Sequence, residues 1–259
     1  MTARRGEQGS EPGQYRGSMY NCADLHARIV SLPLAPLPAD VLALFDLDNT
    51  LLTGDSDEAW VEFLIERGVL DRPSFERANN EIVGRYRRGE VGVLEFTEFY
   101  LSTLVDHAVP QLEAWRREYL QDKIIPLIPA AARELVGRHR ASGDLTVLTT
   151  AASRFLTSPI ARELGFEHLI ATEPEMRDGR FTGRVAGTPN MREGKIARLE
   201  AWLAERGDTL ARYRQSWFYS DSRNDIPLLS RVTHPVAVNA DATLAALASE
   251  KGWPTLRIR

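Results

Sequence analysis

The sequence predicts an α/β protein built on a doubly wound parallel sheet, with a bundle of helices inserted after the first strand. Three observations carry that expectation. Short apolar runs such as "VLALF" and "SWFY" have no polar face, which suits strands covered on both sides. From about residue 127 onward such runs alternate with amphipathic helical stretches, the pattern of a parallel sheet with helices on both faces. Between them, residues 58 to about 125 repeat apolar positions at three- and four-residue steps, as helices do.

Taken in order, residues 1–20 are Gly, Arg, Glu and Gln with almost nothing to bury, so a disordered tail is expected. After the proline-bearing "LPLAPLPAD", "VLALF" is the first strand. "EAWVEFLIERGVL", "SFERANNEIVGRYRRG", "VLEFTEFYLSTLV" and "QLEAWRREYLQDKII" are the helices of the insert, assigned as a cap over 55–126. The core is then 39–54 and 127–259. The chain crosses between the two near Thr53-Gly54 and near Pro126 to Pro129, a hinge where Gly54 supplies unusual backbone angles and the prolines stiffen the return. "AARELVGRHRASG" is a helix closed by Gly143, and "DLTVLTT" returns to a β-branched strand pattern. "SPIARELG" is a helix and "HLIATE" a strand, and "EMRDGRFTGRV" reads as a hairpin turning at Asp178-Gly179. The helix "GKIARLEAWLAERG", the strand "SWFYS", a short helix start at "DIPLLS" and the strand "HPVAVNA" complete the sheet.

Composition narrows the function. The chain has 259 residues, 43% of them hydrophobic, enough for one sizeable core and a smaller subdomain. Its net charge of −4, with 32 basic residues spread along the chain, leaves no nucleic-acid footprint, so a small-molecule partner is expected. Cys22 is the single cysteine, which excludes an internal disulfide framework and fits a cytoplasmic setting. No segment approaches the ~18 consecutive apolar residues of a membrane span.

Chemistry concentrates in "LALFDLDNTLLTGDSD", where the strand runs into Asp46, Asp48, Asp55 and Asp57. Side chains at i and i+2 of an extended segment point the same way, so Asp46 and Asp48 face one pocket beyond the carboxyl end of the strand. Two adjacent carboxylates are tolerated there if a cation neutralises them or one stays protonated, and a hard cation with oxygen ligands, Mg²⁺, suits the place. Read alone, Asp48, Asn49 and Thr50 also make an ordinary strand-end turn. In "YSDSRNDIPLL", Asp221 follows a second apolar strand and Asp225 stands four residues on, where it can equally cap a helix. Two acidic strand ends in one sheet can bring three or four carboxylates to one rim. The "TVLTTAAS" strand end offers a threonine hydroxyl and backbone N–H groups at a helix start for phosphate oxygens. Lys195 opens a helix, where its charge opposes the dipole; only Lys123 and Lys251 accompany it.

"FDLDNT", a threonine strand end, a lysine at a helix start and "SDSRND", in that order, resemble the haloacid-dehalogenase-like hydrolase superfamily over about Val41 to Asn239. The insert stands where the phosphoserine-phosphatase-like branch carries its helical C1-type cap. "GDSDEAW", "YSDSRNDIPLL" and "EMRDGRFTG" are similar more narrowly to a bacterial subgroup that includes histidinol-phosphate phosphatases. Ser220 departs from the pattern, since many members have glycine there. The resemblance implies a Rossmann-like core and hydrolysis of a phosphate ester through an aspartyl phosphate on Asp46, with Asp48 as general acid and base. It also implies Mg²⁺ held by Asp46, the backbone carbonyl of Asp48, and Asp221, with Asp225 as a further ligand or orienter. Thr150, with Thr149 as the alternative, and then Ala151 and Lys195 would hold the phosphoryl oxygens.

Asp55 stands nine residues after Asp46, where similar phosphoserine phosphatases carry an acidic residue for the substrate ammonium, so an amine-bearing ester is expected. Asp55 or Ser56 can also simply cap the next helix. A carboxylate on the substrate would call for an arginine fork, for which Arg85, Arg87 and Arg88 are available. Histidinol phosphate is favoured over phosphoserine, and a monomer or homodimer is expected. A non-catalytic phosphoacceptor or phosphometabolite-binding protein is the rival from another class; it would not need Asp48 beside Asp46.

Overall fold

The computed structural model describes residues 39–258. The expected tail over 1–20 and Cys22 lie outside the described residues. Strand β1 (Val41–Phe45) lies at the heart of a six-stranded sheet whose neighbouring strands all run parallel. Beside it on one side are β2 (Leu145–Ser153) and then β3 (His168–Thr172). On the other are β6 (Gln215–Ser220), β7 (His234–Val238) and β8 (Thr255–Leu256), after the excursion of a two-stranded hairpin, β4 (Pro174–Arg177) and β5 (Arg180–Val185). The chain therefore walks outward from β1 through β3, then crosses back to β6 and walks the other way. The order reverses between β1 and β6, and at such a point the carboxyl ends of the strands open a crevice.

Residues 42–45 are fully buried, and their alternation serves two layers. Leu42 and Leu44 pack with Leu199 and Leu203 of the helix Glu193–Glu205 and with Leu244 of the helix Ala242–Lys251. Ala43 and Phe45 pack on the opposite face with Leu135 of Ala130–Ala141 and Ile160 of Arg154–Glu163. That two-sided burial is why "VLALF" carries no polar position.

The insert forms four α-helices, α1 (Ser56–Glu66), α2 (Arg72–Arg87), α3 (Val93–Leu101) and α4 (Val109–Tyr119). After α4 the chain takes a wider π turn at Leu120–Ile124 and a tight 3₁₀ turn at Ile125–Leu127. Pro126 lacks the N–H an α-helix needs there, and its ring clashes with the carbonyl four residues earlier. The base of the insert belongs to the core, because Trp60, Phe63 and Leu64 of α1 and Tyr119 of α4 share the apolar layer of Phe45. The Tyr119 hydroxyl donates to the Ser56 carbonyl (2.8 Å) and the Trp60 indole to Thr103 Oγ1 (3.1 Å). Helix α2 buries only Ile82.

At the crossing, the Thr53 N–H and hydroxyl both donate to the Leu127 carbonyl (2.9 and 3.2 Å), so outgoing and returning chains lie side by side. Gly54 differs from expectation. Its φ is outside the left-handed region, and what its missing side chain provides is clearance, since a Cβ would come 3.3 Å from Leu127 Cδ1. Asn49 instead takes the left-handed conformation (φ 57°) within this loop.

The hairpin turns at Asp178 and Gly179, both with positive φ, as the paired turn residues suggest. It stands apart from the main sheet and docks on the insert, where the Val185 N–H donates to Glu98 Oε1 of α3 (3.2 Å). Two further differences concern the core. Strand β2 continues through Ala151 and Ala152 to Ser153 with a register shift against β3, so no helix starts directly after Thr150. Helix Ala242–Lys251 and β8 add to the predicted elements; Asp241 caps that helix by accepting from the Leu244 N–H (2.8 Å), and Gly252 ends it with φ 66°. Among the described residues no helix is long and apolar enough to cross a membrane.

Candidate active site

A cavity of about 270 Å³ opens at the reversal point between β1 and β6. Asp46 follows the last residue of β1, Asp221 follows β6, and Lys195 projects from the first turn of Glu193–Glu205. The Lys195 ammonium, 2% exposed, lies 2.8 Å from Asp46 Oδ1 and 2.7 Å from Asp225 Oδ2. The other Asp46 oxygen takes part in a second contact: Thr50 Oγ1 is 3.1 Å from Asp46 Oδ2 and 3.2 Å from Asp221 Oδ1, and accepts from the Asp221 N–H (3.0 Å). One buried hydroxyl thus bridges the two acidic strand ends. The turn that delivers it is closed by the N–H groups of Thr50, Leu51 and Leu52 on the Leu47 carbonyl, so the strand-end turn and the acidic site are the same structure.

Asp48 faces the same cavity and accepts from the Ser56 N–H (2.7 Å). Burial raises its pKa well above the ordinary carboxylate value, and the charges of Asp55, Asp46 and Asp57 raise it further. Asp46 is pushed up to about 6 by burial, against which Lys195 acts. Asp221 is pushed up to about 8 by burial together with Asp46 and Asp225. For Lys195 burial opposes the charge, yet Asp225 and Asp46 outweigh it and its pKa is raised, so it stays an ammonium.

Asp225 accepts at Oδ2 from Lys195 and from Ser220 Oγ (2.7 Å), so that oxygen is held inside the protein. Ser220 therefore adds a contact that glycine lacks. Thr149 Oγ1 accepts from the amide of Asn190 (3.0 Å), which also reaches the Thr150 and Ile170 carbonyls. Thr150 Oγ1 accepts from the Ala152 N–H (3.2 Å), and its own proton has no acceptor among the described residues. Ala151 and Ala152 form the cavity wall at this strand end.

Asp55 and Asp57 also line the cavity, close enough for their charges to act on Asp48. Asp55 is also the N-cap of α1, its Oδ1 accepting from the N–H groups of Asp57 (2.9 Å) and Glu58 (3.0 Å). Arg85 is placed elsewhere: its guanidinium pairs with Glu95 (3.1 Å) and does not line the cavity, because the aromatic residue next to it, Tyr86, takes the inward position. Asn190, Tyr86, Phe96 and Tyr100 carry no expected role in the sequence, and Thr50 is expected only as part of the strand-end turn. Asn190 is a single neutral polar residue without a spacing pattern, and the aromatic three sit in a helical apolar periodicity that reads as core. Arg192, with φ 53° and ψ −126°, lies over the Tyr86 ring (4.8 Å) and donates to Asn224 (3.2 Å), tying α2 to the loop after β6.

The donors at the crevice fit Mg²⁺. Among the described residues no three Asp, Glu, His or Cys side chains already form a cage. Mg²⁺, however, takes one or two carboxylates and keeps several waters. Asp46 and Asp221, bridged by Thr50 and raised in pKa by burial, are a pair that a divalent cation would relieve.

The family model of haloacid dehalogenase-like hydrolases matches residues 43–230. A histidinol-phosphatase of Neisseria meningitidis serogroup C (strain 8013) is 43% identical over 219 residues, 84% of this chain and 99% of that protein. The crystal structure of a protein of unknown function from Bordetella pertussis Tohama I superimposes with a TM-score of 0.81 at 46% identity, covering 85% of this chain and 99% of that one. A substrate-bound phosphoserine phosphatase superimposes with a TM-score of 0.58 at 18% identity, covering 84% and 92%, a likeness of fold alone.

Proposed function

This chain belongs to the haloacid dehalogenase-like hydrolase family, and on that premise we propose that it is a Mg²⁺-dependent phosphomonoesterase acting on histidinol phosphate through an aspartyl-phosphate intermediate. The observation that carries the chemistry is the Asp46 carboxylate, buried at the strand end between Lys195 and Thr50 with Asp48 facing the same cavity. The substrate follows the histidinol-phosphatase of N. meningitidis, which this chain matches over nearly its whole length.

Asp46 attacks phosphorus in line; its new O–P bond forms as the bond to the substrate alcohol breaks. The leaving oxygen takes its proton from Asp48, whose raised pKa favours the protonated form that step needs. Asp48, now a carboxylate, takes a proton from the water that attacks the aspartyl phosphate, which releases phosphate and restores both residues. Lys195 has three N–H donors, two engaged by Asp46 and Asp225, which leaves one for a phosphoryl oxygen. The main chain at Ala151, in the cavity wall, serves another, and Thr150, buried one residue earlier, offers its free proton beside it. Asp46, Asp221 and the Asp48 carbonyl would hold Mg²⁺, which when bound would supply charge neutralisation of the phosphoryl group. Asp225 keeps Lys195 in place. Residues 55–126 act as the cap, and Asp55 receives the substrate ammonium. Phosphoserine suits the cavity less, because its carboxylate would meet Asp55 and Asp57 with no arginine in the lining.

The test is phosphate release from histidinol phosphate and phosphoserine, with Mg²⁺ and with EDTA. The expected result is a kcat/KM at least about tenfold higher for histidinol phosphate, abolished by EDTA. Equal or reversed preference overturns the substrate, and a rate indifferent to EDTA overturns the metal.

A further inference from the structure

Part of the cavity lining has a chemistry that phosphoryl transfer does not use. Its wall is aromatic: Tyr86 stacks on Phe96 (centroids 4.6 Å apart, planes at 28°), and Phe96 meets Tyr100 edge to face (5.5 Å). The Tyr100 hydroxyl is anchored on Asn79 Oδ1 (3.0 Å), and Tyr86 lies under the Arg192 guanidinium, so two of the three rings are fixed from behind. Asp57 lines the same cavity, close enough to Tyr100 that, after burial and the charge of Asp55, its own charge helps raise the tyrosine's pKa. Its carboxylate makes no hydrogen bond or ion pair among the described residues, and Asp55 rather than Asp57 caps α1. The single basic side chain in the lining is Lys195, whose ammonium is engaged by Asp46 and Asp225.

We propose that Asp57, Phe96 and Tyr100 form a subsite for a flat, cationic heteroaromatic ring carried by the phosphate ester. On the reading above, on which this inference rests, that ring is the imidazolium of histidinol phosphate. Aromatic faces attract a desolvated cation, and the carboxylate accepts a ring N–H in a charge-assisted hydrogen bond. A position in the first turn of α1 favours negative charge by itself, but an exposed carboxylate serves the helix dipole equally well. Burial together with the charges of Asp55 and Glu58 pushes Asp57 up to about 8, a cost that a neighbouring cation relieves. The same wall repels a carboxylate. Selection thus resides in the cap, separate from the phosphoryl machinery.

The experiment compares kcat/KM for histidinol phosphate, phosphoethanolamine and phenyl phosphate in the wild type, Asp57→Asn and Phe96→Leu. Calorimetric binding of histidinol phosphate to Asp46→Asn and to Asp46→Asn/Asp57→Asn accompanies it. Both substitutions should lower kcat/KM for histidinol phosphate at least about tenfold more than for the two ringless-amine and amine-free esters, chiefly through KM, and the double variant should bind at least about tenfold more weakly than Asp46→Asn. Parallel losses on all three esters, or equal binding by the single and double variants, overturn the subsite while leaving the phosphatase reading intact. A wild type that cleaves the three esters alike overturns the histidinol phosphate reading, and the binding comparison then decides on the subsite separately.

Discussion

Lys195 is nearly inaccessible to solvent and holds two carboxylates that would otherwise face each other across the crevice. Removing one partner of a buried ion cluster leaves uncompensated charge, at a cost of about 3–5 kcal/mol. Lys195→Met should therefore lose about that much stability in urea unfolding at pH 8, and less near pH 5, where protonation of Asp46 removes its charge. A loss below about 1 kcal/mol at pH 8 would mean that the cluster is not held by charge. Asp46, Asp48, Asp221 and Lys195 were legible in the sequence because strand-end spacing and scarce lysines mark them. The bridge made by Thr50 and the role of Asn190 were not, since a buried hydroxyl or amide acquires its role from partners up to 171 residues away. Arg85 shows the converse limit: a helix-end arginine gives no sign of which way it turns.

Among the elements, the insert divides into a base and a rim. Helices α1 and α4 contribute Trp60, Phe63 and Tyr119 to the core layer, whereas α2 buries Ile82 alone. Local opening follows the number of buried apolar contacts, so amide hydrogen exchange should be faster across α2 than across α1 and α4. A bound phosphate-ester analogue should slow α2 and α3, whose Tyr86, Phe96 and Tyr100 line the cavity. Uniform exchange across the insert, unaltered by the analogue, would contradict a substrate site lined by α2 and α3. Helical periodicity revealed the four helices of the insert, and Asp178-Gly179 revealed the hairpin. Neither showed that the base is rooted in the core or that the hairpin docks on α3, because docking depends on surfaces that come together only in the fold. The extension of β2 through Ala151 and Ala152 was hidden for a plainer reason: small residues carry no period.

In the molecule as a whole, one topological reversal gathers residues from three distant segments, and burial there raises the pKa of Asp46 and Asp221. Asp221 and Asp57 sit at about 8 and Asp46 at about 6, against about 4 in an unfolded chain. The folded state then binds more protons than the unfolded one between about pH 4 and 8, so this contribution is present at low pH and is lost as pH rises. In EDTA the melting temperature should fall from pH 5.5 to 8.5, and added Mg²⁺ should raise it most at the alkaline end. A melting temperature that climbs over that range would show that these groups ionise freely in the fold. The parallel sheet itself was legible from the alternation of strands and helices, although the two-residue β8 is too short to leave a pattern. The most direct test of the catalytic account is chemical trapping during turnover. Asp48→Asn, supplied with Mg²⁺ and 4-nitrophenyl phosphate, whose leaving group departs without a proton from Asp48, is quenched and reduced with borohydride, and the reduced acyl phosphate is located by peptide mass spectrometry. Modification at Asp46, absent from Asp46→Asn, is the predicted result. Turnover by the wild type with no trapped acyl phosphate in either protein, or with the modification at another residue, would contradict it.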